Sequence, residues 1–99
     1  MYLINQHKEN IQNLCETHNV EKLYLFGSAI TPKFNDKSDI DFLVKFKSFD
    51  LKLYFINYTD FKNKLKNLLK REIDLVEEQT LKNPYLISSI NENKELIYG

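Results

Sequence analysis

Gly27 and Ser28 stand ten residues ahead of Asp39-Ile40-Asp41. A glycine lets the backbone come close to a ligand, and a serine opening a helical turn presents amides and a hydroxyl to phosphate oxygens. Acids at i and i+2 of a strand share a face, their Cβ atoms roughly 6.5–7 Å apart. That is close enough for both carboxylates to converge on magnesium ions about 3.5–4 Å apart. The arrangement Gly-Ser-x10-Asp-x-Asp predicts a site for a metal-bound nucleoside triphosphate. Either half alone is weak, because a strand-to-helix turn with a serine cap and a solvated strand end with two acids are both ordinary. A third acid, Asp74 in Ile73-Asp74-Leu75-Val76, strengthens the pair if it faces the same side; alone it is a polar residue alternating outward on an edge strand.

The elements that must position these residues follow from hydrophobic period. Leu3, Ile4, Ile11, Leu14 and Cys15 recur as one stripe, predicting an amphipathic helix over 2–18 that ends at Asn19. Leu23 to Phe26 is an almost unbroken apolar run and predicts a buried strand over 21–26. Ser28 caps a short helical turn that Pro32 ends, and 34–38 is loop. In the strand 39–46, Ile40, Phe42, Val44 and Phe46 face a core, while Asp39, Asp41, Leu43 and Lys45 face away. Ser48 is the expected cap of a helix whose stripe runs Leu51, Tyr54, Phe55, Tyr58, Phe61, Leu65, Leu68 and Leu69. A third strand covers 71–77, and Pro84 opens a last helix. Leu96-Ile97-Tyr98 fits a short helix or an edge strand. The order α-β-(short α)-β-α-β-α predicts an α+β fold, a small mixed sheet of three or more strands with helices packed on one face.

Bulk properties narrow the function. The chain has 99 residues and its cations and acids balance at fourteen each, so a single domain (1–99) without general nucleic-acid binding is expected. Cys15 is the only cysteine; with no signal-like start and no run of ~20 apolar residues, a cytoplasmic, non-membrane protein is expected. His7 and His18 lack the partners a zinc site needs. Lys62, Lys66 and Lys70 form an i, i+4 row best read as a solvated face.

Leu25-Phe26-Gly27-Ser28, Ser38-Asp39-Ile40-Asp41-Phe42-Leu43-Val44 and Ile73-Asp74-Leu75-Val76 together resemble the minimal nucleotidyltransferases, MNT-type antitoxins of the DNA polymerase β-like superfamily. The match runs through the whole chain in order, and Leu96-Ile97-Tyr98 resembles the family's C-terminal end. The resemblance implies a protein adenylyltransferase that moves AMP from ATP to a tyrosine hydroxyl of a HEPN-domain toxin and so silences it. It implies that Gly27 and Ser28 hold the nucleotide and that Asp39, Asp41 and Asp74 bind two Mg²⁺ ions, with Asp74 able to take the acceptor's proton. Family members also carry an arginine and a second glycine soon after the Gly-Ser pair. Here Ala29-Ile30-Thr31-Pro32-Lys33 stands instead, leaving Lys33 or Lys37 to clamp the nucleotide's phosphates. Two other functions compete: an antitoxin that only binds its partner, and a small-molecule nucleotidyltransferase whose acceptor is held by another subunit.

Overall fold

The computed structural model describes residues 2–27, 35, 37–48 and 50–99. Ser28, Lys33 and the short helix expected after Ser28 lie outside them. The described chain runs α1 (Tyr2–Gln6), α2 (Lys8–Thr17), β1 (Val20–Phe26), β2 (Ile40–Phe46), α3 (Leu51–Leu69), β3 (Ile73–Glu77), a 3₁₀ turn (Glu78–Thr80), α4 (Pro84–Asn93) and β4 (Glu95–Tyr98). The four strands form one mixed sheet in the order β3-β2-β1-β4. β1 pairs antiparallel with both β2 and β4, and β2 pairs parallel with β3. A parallel pair needs a long crossover, and the nineteen-residue α3 supplies it.

One face of the sheet carries the main core. Leu23 and Leu25 of β1, Ile40, Phe42 and Val44 of β2 and Leu75 of β3 pack against Ile11 and Cys15 of α2 and Phe61 and Leu65 of α3, all buried. Phe46 adds edge-on ring contacts with Tyr54, Tyr58 and Phe61 of α3. Burial also pushes the Cys15 thiol up to about 12, with Glu16 adding to the effect.

Four expectations need correction, and one alternative left open is settled. The first helix is interrupted at His7, whose amide bonds Ile4 carbonyl in a tighter i→i−3 turn (3.1 Å); Ile4 and Ile11 still both reach the core. The cap of α3 is Asp50, not Ser48: helix geometry begins at Leu51, and the Asp50 carboxylate accepts from the Lys52 amide at 2.9 Å. β3 starts at Ile73 instead of Arg71. Leu96-Ile97-Tyr98 is an edge strand. Helices do not keep to one face, because Leu43, on the face opposite the main core, is buried beside Leu81, Ile87 and Ile90 of the α4 region. An apolar Leu43 among Asp41 and Lys45 needs such cover, and Asn83, accepting from the Tyr85 amide at 2.9 Å, sets the start of the helix that provides it.

Candidate active site

The C-terminal end of β1 and the N-terminal ends of β2 and β3 meet at one edge of the sheet, and the three aspartates lie there. Asp41 of β2 is the direct register partner of Asp74 on β3 and of Phe26 on β1. Parallel register puts both carboxylates on the face away from the main core. Asp39 comes two residues earlier, just before the strand begins. Burial raises the Asp41 carboxyl above its ordinary value, and the negative charges of Asp74 and then Asp39 raise it further. The three groups therefore feel one another.

Gly27 sits directly beside them. Its backbone is left-handed (φ +69°), and a Cβ there would fall 2.3 Å from Asp41 Oδ2. Only glycine allows the turn and the carboxylate to approach this closely. Lys37 is exposed in the loop before β2, in a tight turn where its amide donates to Asn35 Oδ1 at 2.8 Å.

Two supports were not apparent from sequence. The guanidinium of Arg71, the chain's one arginine, donates to the Asn35 carbonyl at 2.7 Å and to the Ser38 carbonyl, tying the loop that leads into Asp39 to the end of α3. Tyr58 of α3 donates its hydroxyl to the Leu75 carbonyl, one residue beyond Asp74. Burial raises this phenol, with Asp74 and Glu77 contributing. A lone arginine directly ahead of an acidic strand was a usable signal for the first; nothing in the stripe of α3 separated Tyr58 from its apolar neighbours.

The donor set suits a hard cation. Among the described residues none of the three carboxylates is paired with a protein cation. Among those residues, too, no three His, Cys, Asp or Glu side chains close a ready-made metal cage. Mg²⁺ does not require one, since it is held through one or two carboxylates, waters and substrate phosphates.

A model of the family described as Polymerase beta, Nucleotidyltransferase matches residues 9–99. The chain belongs to this family. A relative in Methanocaldococcus jannaschii, provisionally named a protein adenylyltransferase, is 35% identical over 96 residues, spanning 97% of this chain and 90% of the relative. A solved structure provisionally named a minimal nucleotidyltransferase aligns at TM-score 0.77 and 25% identity, covering 93% of this chain and 90% of that one. The fold also matches a chain from a complex of tri-AMPylated Shewanella oneidensis HEPN toxin with MNT antitoxin, at TM-score 0.65 and 21% identity over 96% of this chain and 71% of that one. No described helix is long and apolar enough to cross a membrane.

Proposed function

We propose that this nucleotidyltransferase transfers AMP from ATP to a tyrosine hydroxyl of a HEPN-domain toxin, acting in the cytoplasm as its antitoxin. The observation that carries the reading is the trio Asp39, Asp41 and Asp74, close enough to raise the Asp41 carboxyl, with Asp41 against the Gly27 turn and no ion pair to any of the three among the described residues. The name of the M. jannaschii relative and the make-up of the S. oneidensis complex support the acceptor and the partner. A run of exposed apolar side chains on the first half of α3, with Leu51 85% and Phe55 75% exposed beside Leu53 and Ile56, is the kind of surface that marks a protein contact.

Asp39, Asp41 and Asp74 would hold Mg²⁺, which supplies charge neutralisation for the phosphates and the leaving pyrophosphate. Gly27 and Ser28 bind the triphosphate, and Lys33 and Lys37 stand in for the missing arginine. The acceptor oxygen forms a bond to the α-phosphorus as the bond from that phosphorus to the β-phosphate's bridging oxygen breaks. Asp74 takes the hydroxyl proton, and pyrophosphate leaves. Positioning and charge complementarity carry most of the acceleration.

Incubation with α-labelled ATP, Mg²⁺ and the co-encoded HEPN protein is expected to label that protein. Asp41→Asn is expected to slow labelling by about 10²–10³-fold, the usual cost of losing one group that manages transition-state charge. If a doubly substituted Asp39→Asn, Asp41→Asn chain still silences the toxin as well as the parent does, binding alone explains the effect and catalysis is refuted.

A further inference from the structure

On the far side of β1 from the aspartates, β4 begins at Glu95, the register partner of Leu25. Lys94 directly precedes it and closes α4, its amide donating to the Ile90 carbonyl at 2.9 Å. Leu23 and Leu25 point into the core, so Tyr24 between them points to the outer face, the face of Asp41 and Asp74. The Lys94 ammonium lies over that ring, 4.1 Å from its centroid. Asp41 is the register partner of Phe26 on β1 and of Asp74 on β3. Strand by strand, this end of the sheet therefore presents Asp74, Asp41, the Phe26-Gly27 turn and Lys94.

A simpler account covers part of this. A cation at the C-terminal end of a helix complements its dipole, and Lys94 stands at the end of α4. A lysine there is normally solvated, and its neighbours Asn93 and Glu95 are exposed. Lys94 is instead half-buried, its stem turned onto the sheet. Among the described residues it makes no ion pair. A partly exposed cation–π contact is weak, whereas a lysine–phosphate contact is charge-assisted, so one can be exchanged for the other. The dipole explains a positive charge at this point. It does not explain why that charge is directed to the face of the aspartates and not into water.

We propose that Lys94 is a nucleotide ligand, whose ammonium leaves the Tyr24 ring when ATP binds and pairs with the terminal phosphate. The assignment rests on the nucleotide-binding part of the reading given under Proposed function. Neighbouring strands stand about 4.7–4.9 Å apart, so β4 lies roughly 10 Å from β2. A triphosphate held at the aspartates and lying along the Gly27 turn has its far end on the β4 side. The flexible four-carbon stem of a lysine can carry a charge to meet it. Acids at one end of the row and a lysine at the other would thus fix the direction in which the phosphates run.

The test is calorimetry and NMR on the full chain with Mg²⁺, titrated separately with the ATP analogue AMP-PNP and with ADP. Lys94→Met keeps an unbranched side chain against the ring and removes the charge. It should weaken AMP-PNP binding about tenfold, the scale of one lost charge-assisted contact, and leave ADP binding nearly unchanged. Lys94→Arg should restore the affinity for AMP-PNP, and the spectra report whether each variant is folded. In the free chain the Tyr24 ring current should hold the Lys94 ε-methylene protons upfield. AMP-PNP, but not ADP, should release them. Equal affinity for AMP-PNP in Lys94→Met, an equal loss for ADP, or ε-methylene signals that stay upfield at saturation would each overturn the proposal while leaving the catalytic reading intact. A parent chain that binds neither nucleotide overturns both. One that binds AMP-PNP through Lys94 but labels no partner upholds the ligand and sinks only the transfer.

Discussion

Folding places Asp41 where its charge is least welcome, since burial and the neighbouring Asp74 and Asp39 all favour its neutral form. A carboxyl whose pKa is raised on folding withholds stability once the pH exceeds its folded value. That stability returns as the pH falls through the raised value toward the unfolded one. Asp41→Asn is therefore expected to stabilise the metal-free chain while slowing transfer. The group is partly exposed and solvent screens it, so the gain should be at most about 1 kcal/mol, or roughly 4–8 °C in melting temperature. Thermal unfolding with and without the substitution checks this. Gly27→Ala should do the reverse, costing about 1–2 kcal/mol for the left-handed backbone and displacing the Asp41 carboxylate; denaturant unfolding and transfer assays read the two effects. The strand that carries Asp41 was legible from its period of two, whereas Asp39 lies one residue ahead of it. Nothing local revealed that Asp74 would sit opposite Asp41, since that register depends on how α3 carries the chain across the sheet.

Helix ends and inter-helix ties decide the next scale. Asp50→Ala should lower stability by about 1 kcal/mol through loss of the α3 cap, whereas Ser48→Ala should be silent in the same denaturation experiment. The sequence suggests Ser48 as the cap, but the helix starts only at Leu51, so Asp50 takes that place. α2 and α3 are joined by His18, buried, whose Nε2 lies 2.6 Å from Asp60 Oδ2 while Nδ1 lies 2.8 Å from the Leu14 carbonyl. Asp60 is held below its ordinary pKa by the His18 hydrogen bond, then by Lys64. A lowered carboxyl contributes stability above its unfolded pKa and loses it as the pH falls through the folded one. Asp60→Asn should accordingly flatten the acid limb of stability against pH, a slope opposite in sign to that from Asp41. The periodic stripe of α3 was plain in the sequence; the histidine tie was not, because it joins residues 42 apart in the chain.

At the scale of the molecule, the site belongs to the folded sheet and not to any one segment, because three strand ends must coincide to assemble it. Mg²⁺ with a non-hydrolysable ATP analogue, binding only that assembled state, should raise stability by about 2.7 kcal/mol at a ligand concentration 100-fold over Kd. The Asp39→Asn, Asp41→Asn chain should show little of this shift in the same calorimetric scan. The α+β class and the order of the long elements were legible from apolar period. The four-residue β4 was too short to display a period, and the position of α4 over Leu43 is a contact between distant parts of the chain that no local pattern records. Cys15 lies at the seam where α2 meets the sheet, fully enclosed and with its thiol pushed up to about 12. A thiol-reactive dye has no target until that seam parts, so the rate at which the native protein consumes the dye counts global openings one molecule at a time, with no engineered label.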